Sequence, residues 1–162
     1  MRLTIRGLVP SLACLGFLAL LSSAPFAQSD PQVGVWKLNV AKSKYSPGPT
    51  PKSGTTTIEA AGAGVKVTVD QEIADGSKRH WSFTAAYDGK DSPVTGNNPD
   101  ADTVARIRLN PTTVQTTSKK GGKVTTTQTS EVSKDGKTRT VTTKGVNAKG
   151  EQVSNVAVYE KQ

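Results

Sequence analysis

One cysteine, one histidine and one methionine occur in 162 residues, and aromatic side chains make up only 5%. Cys14 lies inside an N-terminal apolar stretch that reads as a removable leader, so the mature chain has no thiol. That excludes a disulfide framework, a thiolate nucleophile and a cysteine-based metal site. The single histidine, His80, alternates onto the strand face opposite Trp81 and Phe83, and no G-x-S-x-G nucleophile elbow accompanies it. Catalysis is therefore not expected. Acidic residues are scattered through turns and outer faces, which leaves no carboxylate pair for glycoside hydrolysis. Asp100-Ala101-Asp102, after Asn97-Asn98, lacks the spacing and closing Glu of an EF-hand and reads as a loop with an Asx turn. No metal or cofactor is expected. No basic run is interleaved with aromatics, so nucleic acid is not an expected partner. Beyond the leader there is no transmembrane span and no amphipathic helix of useful length.

The leader covers residues 1–29. Arg2 and Arg6 form a positive start, Leu8 to Leu21 an apolar run broken by Pro10, Ser11 and Gly16, and residues 22–29 supply small side chains for cleavage. Cleavage after Ser29 places Ala27 at the −3 position, which suits the peptidase better than Pro25 does for cleavage after Ala27. The apolar run falls short of the roughly 20 residues that a spanning helix needs. A secreted or periplasmic protein follows, with residues 30–162 as one domain. Without Arg2 and Arg6, 19 basic residues exceed 13 acidic ones by six. Most lysines fall at turns, where they keep the chain soluble and protect strand edges. The same basic surface could meet an anionic polymer of the cell envelope.

From Thr55 onward the sequence alternates with period two between glycine turns. Val65, Val67 and Val69 share one face of a strand, and Trp81, Phe83, Ala85 and Tyr87 one face of the next. Asp88-Gly89-Lys90 reads as a turn, followed by a short extended piece at residues 92–95. In the strand Thr103 to Leu109, Ala105, Ile107 and Leu109 are expected inside and Arg106 and Arg108 outside. Residues 41–54, with Pro47, Pro49 and Pro51, read as an extended loop that excludes helix. Eight to ten short strands in a meander predict an all-β, up-and-down, lipocalin-like barrel, with a β-sandwich as the alternative. The expected core is Trp36, Ile58, the three valines, Trp81, Phe83, Tyr87, Ile107 and Leu109. The Thr-rich strands after residue 112 would supply a more polar side of the barrel, leaving an interior able to hold a ligand.

Gly34-Val35-Trp36 on the first strand resembles the G-x-W signature of calycins, the lipocalin and fatty-acid-binding-protein superfamily. The ending Val158-Tyr159-Glu160-Lys161 is similar to the terminal Tyr-Glu-Lys strand of fatty-acid-binding proteins, and a mature length of about 135 residues fits one such barrel. The G-x-W-K-L-N start and the S-K-D-G-K hairpin are also similar to secreted bacterial proteins without an assigned activity. The resemblance implies that Trp36 plugs the closed end. This sequence departs from it in three respects. The Pro-rich loop stands where fatty-acid-binding proteins have two helices, Ala157 stands where they have a carboxylate-binding Arg, and lipocalin disulfides are absent.

The hairpin around Lys134-Asp135-Gly136-Lys137 has two possible registers. A two-residue Asp135-Gly136 loop sets Val132 opposite Arg139 and brings Gln128 and Arg139 inside. A three-residue loop with a glycine bulge sets Glu131 opposite Arg139 as an exposed ion pair; this is the favoured one of the two. Trp81, Phe83, Tyr87, Gln128 and Arg139 are the candidate ligand-lining residues. The expected function is a monomeric, non-enzymatic barrel for a small amphipathic or lipid-like molecule, the alternative being an envelope protein that contacts anionic polymer.

Overall fold

A computed structural model describes residues 30–162, so the expected leader, residues 1–29, lies outside the described residues. Ten strands follow in order: β1 (Gly34–Leu38), β2 (Ser53–Ala61), β3 (Gly64–Glu72), β4 (Lys78–Ala86), β5 (Asp88–Gly96), β6 (Thr103–Asn110), β7 (Thr113–Lys120), β8 (Lys123–Val132), β9 (Thr138–Val146) and β10 (Gln152–Lys161). Each pairs antiparallel with its neighbours in sequence, and β1 pairs with β10 through Trp36–Lys161, Lys37–Glu160 and Leu38–Tyr159. The result is a closed, up-and-down antiparallel barrel of ten strands. Closure leaves no described strand without a neighbour on either side, which removes the free edges along which another chain could add a strand. The seam between β4 and β5 is narrow, with pairs only from Trp81–Gly96 to Phe83–Val94.

The period-two pattern sorts side chains as expected in β2, β3 and β4. Ile58, Val65, Val67, Val69 and Ala85 are buried. Trp36 is 0% exposed, and its indole nitrogen donates to the Gln32 carbonyl at 2.9 Å. Trp36 thus joins the segment before β1 to the closed end of the barrel, and the N–H that burial would otherwise orphan is satisfied.

Four expectations are corrected. First, β8 and β9 pair as Val132–Arg139 and Ser130–Val141, the register of the two-residue loop, and Glu131 lies opposite Thr140. The turn closes with Gly136 at φ +70°, donating to the Ser133 carbonyl at 2.9 Å. Asp135 caps Ser133 and the Lys137 N–H, so no bulge is needed to absorb a residue. Second, β6 is turned over. Val104 and Arg106 are buried, whereas Ile107 and Leu109 are among the exposed hydrophobics. Its ladder to β7 sets Val104 against Ser118 and Arg106 against Thr116, all four on the inner face. Apolar character alone picks the wrong face because this part of the interior is a polar cavity, not a packed core.

Third, Asp88-Gly89-Lys90 is not a separate turn. It opens the nine-residue strand β5, with the irregularity taken up as a bulge between Asp88 and Asp91 and Gly89 at φ +76°. Fourth, the 41–54 loop is not wholly extended. Val40–Lys42 form a short 3-10 turn capped by Asn39, Lys44 bridges Val156 of β10, and β2 already begins at Ser53.

Candidate ligand-binding site

The barrel encloses an open cavity of about 780 Å³, a size that accommodates small organic ligands. Its walls differ. β3 and β4 contribute Val67, Val69, Trp81 and Phe83, while β7, β8 and β9 contribute Thr116, Ser118, Thr126, Gln128 and Thr143. The mouth is ringed by turns that include Pro47–Pro49, Asp75, Asn98–Asp100 and Lys149. Asp100 is structural there. Its N–H binds the Asn98 side chain in an Asx turn, its carboxylate accepts from the Ala148 N–H, and its carbonyl accepts from Thr125. Among the described residues no three His, Cys, Asp or Glu side chains gather as a metal set.

Two arginines lie inside the cavity. Arg139 is buried, donates from Nε to Ser130 Oγ at 2.7 Å, and stands over the Tyr159 ring at 5.4 Å. Burial, with the like charge of Arg106 adding to it against the opposing influence of Tyr159, draws its guanidinium down to about 10. Arg106 is 2% exposed, and its Nε and Nη1 have no hydrogen-bond partner among the described residues. Its contacts are the faces of Tyr87, at 5.3 Å, and Phe83, at 5.8 Å. Burial lowers its proton affinity as well, with Tyr87 and Asp30 opposing. A buried guanidinium without partners is costly, and such groups are rare in folded proteins.

The floor explains how these cations are held in place. Asp30, just before β1, accepts from the Tyr87 hydroxyl at 2.5 Å and from Arg108 Nη2 at 2.6 Å, while Arg108 stacks on Tyr87 at 4.0 Å. Burial pushes the Asp30 carboxyl upward, but the bonds from Tyr87, the Gln32 N–H and Arg108 outweigh it, leaving a net depression. Burial and the bond to Asp30 raise the Tyr87 phenol to about 12. Next to this cluster Ser130 donates to Gln32 Oε1 at 2.9 Å, and Gln32 Nε2 donates to the Thr112 carbonyl at 2.9 Å. The chain Gln32–Ser130–Arg139 therefore ties a cavity cation to the N-terminal segment.

Of the five residues singled out in the sequence, Trp81, Phe83, Gln128 and Arg139 line the cavity. Tyr87 does not; it belongs to the floor, between Arg106 and Asp30. The sequence reading missed Arg106, as well as Tyr45 and Tyr159, which also face the cavity. The sequence signal for Arg106 was its two-residue spacing from Val104. His80 is on the outer wall as expected, with Nδ1 at 2.7 Å from Asp70.

No family model matches this sequence, and no curated protein matches it. Among solved structures, the crystal structure of a zebrafish ileal bile acid-binding protein complexed with cholic acid is similar at a TM-score of 0.47 and 14% identity, over 82% of this chain and 99% of that one.

Proposed function

We propose that the barrel is a non-enzymatic binding protein for a small amphipathic molecule, acting outside the cytoplasm after removal of residues 1–29. The observation that carries this reading is the two-sided cavity of about 780 Å³, with Val67, Val69, Trp81 and Phe83 across from Thr116, Gln128 and Thr143. A wholly apolar ligand would leave the hydroxyls and guanidinium groups without partners, and a wholly polar one would leave the aromatic wall wet. A molecule with one apolar side and a polar head suits both. Trp81 and Phe83 supply contact area, and Gln128 and Arg139 orient the head.

Titration of the purified protein with a fluorescent lipophilic probe tests the reading. Saturable binding that weakens when Trp81→Ala and Phe83→Ala are introduced is expected. Binding that is absent, or indifferent to both substitutions, overturns it. The rival, a contact between the basic turns and anionic envelope polymer, predicts instead a salt-sensitive association with envelope fractions that survives both substitutions.

A further inference from the structure

We infer that the head group the cavity selects is a dianion of the phosphate-monoester type, carried on an apolar tail. This rests on the amphiphile reading above and specifies its charge. The fixed charges at the floor do not balance. Three guanidinium groups meet there, those of Arg106, Arg108 and Arg139, and one carboxylate answers them, that of Asp30. Asp30 is engaged by Arg108 at 2.6 Å and by Tyr87. Arg106 and Arg139 have no carboxylate within ion-pair distance among the described residues. Both line the same cavity, and each is buried.

Two buried cations with no counter-charge favour a ligand that brings two negative charges. A carboxylate or a sulfate ester neutralises one and leaves the other uncompensated in a poorly solvated site. A phosphate monoester carries close to two charges above its second ionisation, near pH 6, and has three terminal oxygens. Two guanidinium groups on different strands can each engage their own oxygen of such a head and leave a third, whereas a carboxylate has two oxygens and one charge to share between them. No protein group answers Nε and Nη1 of Arg106, which leaves its charge uncompensated, and the Ser130 bond to Nε fixes the plane of Arg139. Trp81, Val67 and Val69 remain to receive the tail, beside Phe83, whose ring Arg106 partly covers.

Calorimetric titration with dodecyl phosphate, dodecyl sulfate and dodecanoate, each below its micelle concentration, tests the inference. At about pH 8 the phosphate should bind about tenfold tighter than the sulfate, the difference that one further charge-assisted hydrogen bond makes. At about pH 5, where the phosphate carries nearly one charge, the gap should close. Asp30 is lowered, Tyr45 raised and Tyr87 raised to about 12, all away from this window, whereas burial lowers Arg106 and draws Arg139 down to about 10, still above it. At the mouth, Asp75 is also lowered, and Arg79, Asp100, Lys149 and Glu151 complete the charged lining. Arg106→Gln and Arg139→Gln should each erase the phosphate preference while the sulfate still binds. Inorganic phosphate, a head without a tail, should bind far more weakly than dodecyl phosphate; equal affinity overturns the amphiphilic part of the inference. Sulfate binding as tightly as phosphate at both pH values overturns the dianion and leaves the amphiphile reading standing. Failure of all three alkyl probes overturns both.

Discussion

Arg139 and Gln32, far apart in sequence, hold the same serine. Arg139 Nε donates to Ser130 Oγ at 2.7 Å, and that hydroxyl donates to Gln32 Oε1 at 2.9 Å. The serine has no other use that alanine would not serve, since its backbone pairs with β7 and β9 whatever the side chain. Ser130→Ala is expected to cost about 1–3 kcal/mol, because it leaves a guanidinium N–H and an amide oxygen without partners in a buried place. Urea unfolding measures this. Probe affinity should fall in parallel, as the guanidinium plane is no longer fixed.

Arg106 presents the opposite case, a side chain whose removal should help the fold. Its Nε and Nη1 are buried and unpartnered, and it sits over Tyr87 and Phe83. Arg106→Met is expected to raise stability by about 1–4 kcal/mol, as when buried charges give way to apolar groups of similar volume. The same variant should lose the preference for the phosphate probe over the sulfate. A rise in the denaturant midpoint together with that lost preference is the outcome that marks Arg106 as a ligand-directed residue; a fall in stability with the preference kept would make it structural.

The Asp30 carboxyl sets an acid limit. Its folded proton affinity lies below the ordinary value of 3.8, so the folded state prefers the ionised form. That contribution is complete above the unfolded value and is lost as the pH falls through the depressed folded one. Stability should therefore decline below the ordinary aspartate range, and Asp30→Asn should flatten that part of the curve while lowering the plateau at neutral pH. Thermal melts across the acid range, wild type against variant, check the sign.

Two glycines with positive φ separate backbone strain from crowding. Gly136 has φ +70° and open space where a Cβ would stand, so Gly136→Ala should cost about 1–2 kcal/mol from the left-handed conformation alone. Gly96 has φ +99°, and a Cβ there would run into the His80 carbonyl and the Trp81 Cα, both backbone atoms that cannot step aside. Gly96→Ala should be clearly the more damaging of the two in chemical denaturation, and it should disturb Trp81 fluorescence.

Much of the barrel was legible because its outer half is a set of hairpins with strong local signals. Val65, Val67 and Val69, and Trp81 and Phe83, face inward as their alternation indicates. The reading failed where the interior stops being apolar. In β6, Arg106 is inside and Leu109 is 51% exposed, because the facing residues of β7 are Thr116 and Ser118 and the space between is a cavity. Alternation gives the period of a strand but not which phase points inward, and hydrophobicity decides the phase only beside a dry core. The site suffered accordingly. Arg139 was recognised with its register open, whereas Arg106 was assigned to the wrong face. The floor was not legible at all, since Asp30, Gln32, Tyr87, Arg108 and Ser130 meet only once the barrel has closed.

The narrow seam between β4 and β5 gives this closed wall a place to part. Beyond Phe83–Val94 the two strands have no further paired rungs before the chain turns at Tyr87, whereas β3 holds β4 along nine consecutive pairs. Local opening follows the weakest ladder, so amide protons along this stretch of β4 and β5 should exchange with solvent well before those of β3 or β9. Trp81 and Phe83, which line the cavity, sit in this seam, so an opening there would expose the cavity through its wall as well as at its mouth.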